Sequence, residues 1–272
     1  MAEPLDHGHD QAEAHGFARS LGADSAGNPW EGRTFQAHDT TYAGDDGSAD
    51  PALLAALEAH LAGQADEAAV LDALRAARLL IPLLAHAGDE GAGEHGVRVD
   101  KTQELAIVTV AGPDGRTVLP AFTSVRTLQA WNRFARPVPA QSRRIAIAAA
   151  AESTELMVLD PGSETEFGVR RPALWALAQD LPWVPAALDP DVARAFVASV
   201  ELEPAVASVG LAPQPGPSAL TGPEVVVQLG LRPGLDRAEL SALLQRLQQA
   251  WALDPVIAER VDSLGLKVVA AS

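Results

Sequence analysis

Arg126, Arg133, Arg136, Arg143 and Arg144 gather in the middle of the chain, interleaved with Trp131 and Phe134. Guanidinium groups grip carboxylates and phosphates through paired hydrogen bonds, and aromatic rings stack on bases or on guanidinium planes. This set is the best polar feature of the sequence. Residues 1–100 carry 18 acids and 5 bases, residues 101–150 carry 2 and 7, and residues 151–272 carry 16 and 8. The net charge of −16 argues against a general nucleic-acid or anionic-membrane binder. A basic middle between acidic ends fits an acidic partner, or the chain's own acidic segments. RNA or anion contact through the arginines is the weaker reading. Trp131 shares a helical face with Val125 and Leu128, which predicts a core position for it.

Other chemistries do not assemble. All 7 histidines precede residue 96, so the later two-thirds hold no imidazole base. His7, His9 and His15 lack the fixed ligands a closed metal site needs, and His86 and His95 lack a helical HExxH pairing. Gly91-Ala92-Gly93-Glu94-His95-Gly96 spells the dinucleotide fingerprint, but Asp89, Glu90 and Glu94 would repel a pyrophosphate and a strand follows it. Asp45-Asp46-Gly47-Ser48-Ala49-Asp50 mimics part of a calcium loop without its closing glutamate. Glu164 and Glu166 lie in a turn, where solvation is the simplest reading. No G-x-S-x-G, S-x-x-K or phosphate-loop pattern is present. With 0 cysteines, thiolate catalysis, disulfides and Cys-ligated zinc are excluded. No cofactor, metal site or catalytic residue is expected.

The elements that must position the arginines read clearly. Asp50-Pro51 caps a helix whose face is Leu53, Leu54, Leu57 and Leu61, and Gly63 ends it. A second helix from Asp66 buries Val70, Leu71 and Leu74, then runs into a strand at Leu79–Leu84 in which Pro82 implies an edge or irregular position. Gln103–Ala111 and Arg116–Phe122 form a hairpin about Gly112-Pro113-Asp114-Gly115. Ser124 caps a helix through Trp131, Pro137 and Pro139 punctuate, and Ser142 caps the next helix. Strands at Glu155–Leu159 and Phe167–Val169 precede a helix opened by Pro172. The remainder reads α-β-β-α-α-β, with caps at Asp189, Asp236 and Asp254, strands at Ala205–Leu211, Glu224–Leu231 and Leu264–Ala270, and a Pro/Gly loop over Pro213–Pro223.

The expected class is therefore α+β, in two domains that each pack a mixed or antiparallel sheet with helices. The boundaries are a disordered acidic tail over 1–48, a domain over 49–182 and a domain over 186–272, joined by a linker or stiff connector at Leu181–Pro185. Within the tail, residues 29–35 carry Trp30, Arg33 and Phe35, a docking-like segment. The 47% apolar content supplies a full core, which 4% aromatics force onto Ala, Leu and Val. No secretory signal and no membrane span is read, so a cytoplasmic protein is expected, and the bias to Arg over Lys (only Lys101 and Lys267) with the many Ala points to a bacterial one.

Leu105-Ala106-Ile107-Val108-Thr109-Val110, the Gly112–Arg116 turn and Leu119-Pro120-Ala121-Phe122-Thr123-Ser124 through Trp131 together resemble the N-terminal domain of the SseB family. The Phe122-Thr123-Ser124 junction before the helix is the most telling piece. The resemblance covers roughly 45–180, and the α+β remainder is similar to the family's C-terminal domain. It implies packing and no catalytic group.

The leading expectation is a non-enzymatic interaction or regulatory protein with an unidentified protein partner, contacted by Trp30, Arg33, Phe35, Arg126, Arg133 and Arg136. The alternative is an enzyme or small-molecule binder, for an amino acid or its metabolite, with a pocket between the domains.

Overall fold

The computed structural model describes residues 41–84, 109–111, 115–213 and 222–271. Residues 45–272 fall in one compact unit, and of the residues before it Thr41–Gly44 is a turn. Trp30, Arg33, Phe35, six of the histidines and the Gly91–Gly96 run lie outside the described residues.

Capping chemistry starts the chain as expected. The Asp50 carboxylate accepts from the N–H groups of Ala52 and Leu53 at 2.8 and 3.1 Å, and Pro51 opens α1 (Pro51–Leu61). Asp66 caps α2 (Glu67–Ala76). There follow β1 (Arg78–Leu83), β2 (Val110–Ala111), β3 (Thr117–Ala121), α3 (Val125–Trp131), β4 (Arg136–Gln141), α4 (Ser142–Ala151), β5 (Leu156–Leu159), β6 (Phe167–Arg170) and α5 (Arg171–Gln179). One sheet has the order β2-β3-β5-β6, with β3 and β5 parallel and the outer pairs antiparallel. All four residues of β5 are buried, as befits a strand covered on both faces. Of the expected strand Gln103–Ala111, only its last three residues are described, and Val110–Ala111 pair with β3.

β4 was not expected: Pro137 and Pro139 do not punctuate but sit inside a strand. β1 and β4 pair antiparallel, with Pro82 opposite Pro137 and Leu80 opposite Pro139. Leu80 exchanges its N–H and carbonyl with Phe122, at 2.8 and 2.9 Å, on its other side. Its pairing with Pro139 is therefore a non-hydrogen-bonded one, and Pro82–Pro137, two residues along, is the same kind. The ladder asks no N–H of these three prolines, so the strand tolerates them.

Two further differences are local. Ser142 does not cap α4; it is the first helical residue, and its Oγ donates to the Ala77 carbonyl at 2.8 Å. Residues 45–48 also make contacts with the body of the molecule. Arg78 pairs with Asp45 and donates to the Ser48 carbonyl at 2.8 Å, which ties residues 45–48 to β1.

Leu181–Pro185 has no regular structure, and Trp183 packs on the first core. Beyond it come α6 (Pro190–Val200), β7 (Val206–Pro213), β8 (Val225–Leu231), α7 (Arg237–Leu253), α8 (Pro255–Arg260) and β9 (Leu264–Ala270). This matches the α-β-β-α-α-β expectation. The sheet is β7-β8-β9, antiparallel then parallel. The apolar cores are separate: Leu53, Leu74, Leu119, Met157 and Leu174 belong to one, Phe196, Val227, Leu247 and Trp251 to the other. The architecture is α+β throughout.

Candidate functional site

A buried knot sets the position of the arginine-bearing helix. Asp160 is 0% exposed and lies just past β5, at φ 46°. Its carboxylate accepts from the Thr123 N–H at 2.8 Å, the Thr123 hydroxyl at 2.7 Å and the Thr165 hydroxyl at 2.9 Å. Three donors satisfy a buried carboxylate, which would otherwise be costly. Thr123 is thereby fixed, and Ser124 starts α3 in a capping box with Thr127. Gly47 completes the anchor: at φ +77° its carbonyl accepts the Val125 N–H at 2.8 Å, and a Cβ there would meet Val125 at 2.5 Å. The Phe122-Thr123-Ser124 junction thus exists to be bound by Asp160, a partner with no local sequence signal.

From this anchor α3 leads into a turn at Asn132–Ala135. The Asn132 side chain accepts from the Phe134 N–H at 2.9 Å, and the Ala135 N–H returns to the Asn132 carbonyl at 3.1 Å. The turn pushes Phe134 outward until it is 75% exposed, and the Arg133 guanidinium stacks on its ring at 4.6 Å. Arg136 begins β4 opposite Leu83, so the two side chains share a face, and Leu83 is 46% exposed. Arg126 is exposed on α3.

Among the described residues, Arg126, Arg133 and Arg136 have no carboxylate partner, whereas Arg75, Arg78, Arg116, Arg170, Arg194, Arg246 and Arg260 all do. The structure therefore gathers Arg133, Phe134 and Arg136 at one turn. Trp131 packs on Phe122 at 5.3 Å, as its helical spacing predicts. Arg143 instead donates to the Ala178 carbonyl at 3.2 Å, joining α4 to α5.

A second cluster was invisible in the sequence. The Asp262 side chain is 2% exposed and receives Arg116 and Arg170, each at 2.9 Å. Arg170 also donates to the Gly222 carbonyl at 3.1 Å. Glu224 accepts the Asp262 N–H through Oε2 at 2.6 Å, while its Oε1 is buried with no hydrogen-bond partner. Burial pushes the Glu224 carboxyl up to about 7; the Asp262 and Glu67 charges add to the rise, and the Asp262 N–H and Arg170 oppose it. Glu67 is raised as well, chiefly by burial. A carboxyl titrating near neutrality is a candidate general base. The adjoining cavity, lined by Glu67, Phe167, Arg170, Trp183 and Glu224, measures only about 10 Å³, room for one water at most and too small for a substrate. These residues sit far apart in the sequence, so no spacing announces them.

A cleft of about 270 Å³ lies between α5 and α8, walled by Trp175, Gln179, Trp183, Asp189, Glu259 and Arg260. Arg260 is held there by Asp189 at 3.0 Å and Asp191 at 2.9 Å.

The remaining candidates resolve simply. His60 bonds the Ala65 carbonyl at 3.2 Å and packs edge-on against Phe167 at 5.3 Å. Glu166 accepts the Gly162 N–H at 2.6 Å, so it braces its turn rather than only meeting solvent. Asp46 accepts from Ser48, and Asp45 pairs with Arg78. No three potential ligands come together for a metal ion among the described residues, and no helix there is long and apolar enough to cross a membrane.

Neither a curated protein nor a solved structure matches the chain. Residues 53–176 match the family described as the SseB protein N-terminal domain. That span runs from the first buried leucine of α1 into α5, and it holds the Thr123–Asp160 knot, β4 and the exposed arginine turn; over these residues, less than half of the chain, the protein is similar to the SseB protein N-terminal domain.

Proposed function

We propose that this protein is a non-enzymatic, cytoplasmic interaction protein, a two-domain scaffold that presents Arg126, Arg133, Phe134 and Arg136 to an acidic segment of a partner protein. One observation carries the reading. In a chain of net charge −16, a phenylalanine is held 75% exposed beneath an arginine, beside arginines that no described carboxylate neutralises. Aromatic and arginine side chains are the usual energetic anchors of protein interfaces. Trp30, Arg33 and Phe35 repeat the same pairing of residue types in the sequence, and we count them as further contact residues.

The test is fluorescence anisotropy with a labelled peptide of alternating glutamate and phenylalanine, beside a labelled uridine-rich RNA. The peptide is expected to bind, and Phe134→Ala or the pair Arg133→Ala and Arg136→Ala to weaken it at least about tenfold, or about 1.4 kcal/mol. Equal binding by the variants overturns the reading. So does tighter RNA binding with a steep loss of affinity in salt.

The α5–α8 cleft favours a second reading, a binding site for an amino acid or its metabolite. Its volume of about 270 Å³ falls just below the range of drug-sized ligand pockets, so an amino-acid-sized ligand fits best. A thermal-shift panel containing serine and related metabolites decides it, because a ligand at 100 times its Kd adds about 2.7 kcal/mol of stability.

A further inference from the structure

The two edges of the C-terminal sheet are built differently. β7 carries Pro213 and an irregular register between Val206 and Ser208, both of which obstruct strand addition. β9 runs through Leu264–Ala270 with neither device, and among the described residues it pairs only with β8. The Ser263 carbonyl accepts the Val225 N–H at 3.2 Å, and the Ala271 N–H donates to the Leu231 carbonyl at 2.8 Å. The odd positions of β9 therefore face β8. The N–H and carbonyl groups of Leu264, Leu266, Val268 and Ala270 point away from the sheet, each residue offering one donor and one acceptor.

The side chains along this edge are also unfinished. Leu264, Leu266 and Val268 are 38%, 37% and 43% exposed, although they lie on the same side of the sheet as the buried Val225, Val227 and Leu229. Beside Leu264 and Leu266 runs a cleft of about 300 Å³ walled by Trp251, Ala252, Ile257 and Val261. An added strand would place every second side chain over this apolar strip.

Lys267 identifies the occupant. It is the one charged residue of β9, it is exposed, and no described carboxylate pairs with it. In the antiparallel self-pairing that engages all four outward residues, Leu266 meets Val268 of the second copy and Lys267 faces itself, with Cα atoms about 4.5 Å apart. Lysine in that place disfavours a second copy and favours a strand bearing a carboxylate.

We infer that β9 is a docking edge that takes an extended acidic segment of another protein by strand addition, with apolar residues at alternate positions and an aspartate or glutamate opposite Lys267. This surface is distinct from the Arg133–Phe134–Arg136 turn and does not depend on it.

The probe is a labelled peptide of alternating valine and glutamate, titrated onto the full chain carrying Arg133→Ala and Arg136→Ala so that the arginine turn cannot hold it. At about 0.3 M salt, where long-range charge effects are screened, it should bind, and N-methylation at alternate residues should abolish binding. Val268→Pro removes an outward N–H without breaking a ladder bond and should weaken binding at least tenfold. Lys267→Glu should shift preference to a second peptide in which lysine replaces each glutamate. Binding that survives Val268→Pro or N-methylation overturns the proposal. So does a preference that ignores Lys267→Glu, or a concentration-dependent dimer that Val268→Pro abolishes.

Discussion

Asp160 and Glu224 are both carboxylates withdrawn from water at the margin of a sheet, and their surroundings differ in one respect. Asp160 meets three donors, two from Thr123 and one from Thr165. Glu224 meets one, the Asp262 N–H, and its second oxygen is buried without a partner. The first is a fixture that joins the end of β3 to the turn after β5. The second is forced upward to about 7 by the same burial. Donors, as well as depth, decide whether a buried acid serves as a structural pin.

The largest way to break this contrast is Asp160→Ala. Three donors lose their acceptor, each at roughly 1–3 kcal/mol, and alanine strains the positive φ at this position. Urea denaturation should show a loss of about 4 kcal/mol or more. Asp160→Asn keeps an acceptor oxygen and tolerates the backbone, so it should lose distinctly less. Equal losses for the two would mean that the carboxylate geometry is not what holds the junction.

Legibility in the sequence followed the range of the interaction. Asp50, Asp66, Ser124, Asp189, Asp236 and Asp254 cap helices as read, because a cap is decided within three residues. The order of elements after Pro190 was readable for the same reason. β4 was missed because proline punctuates most chains, and only the pairing with β1 shows that Pro137 and Pro139 owe the ladder no N–H. Ser142 looked like a cap, but its hydroxyl serves Ala77 far away in the chain. The exposed arginines could be read as a set. That Arg133 and Arg136 flank an exposed Phe134 while Arg143 is spent on α5 depends on a turn and a helix packing that no spacing encodes.

The second effect in size is a pH dependence. Glu224 has a folded-state value of about 7 against an ordinary 4.5, so the folded state binds more protons between those limits. Stability therefore falls as pH rises through that window and levels off above it, by about 3 kcal/mol at most for this group. Glu67, raised in the same direction, steepens the slope. Glu224→Gln should flatten the profile and make the variant the more stable form at pH 8, measured as the denaturation midpoint across pH. A wild-type profile that rises between pH 5 and 7 would place Glu224 among the well-partnered acids after all.

The smallest effect asks whether the Asp160 donors act separately. Thr165→Val removes one hydroxyl from Oδ2 and leaves both Thr123 bonds in place. A single hydrogen bond to a carboxylate is worth roughly 1.5–3 kcal/mol, and the partly buried setting of Thr165 puts the expected loss near the lower end, at about 1–2 kcal/mol. Combined with Thr123→Val, the loss should exceed the sum of the two single variants, because the last remaining N–H cannot satisfy both oxygens. Simple additivity in that double-mutant cycle would show that the two hydroxyls act separately, each worth its own bond to Oδ2 and no more.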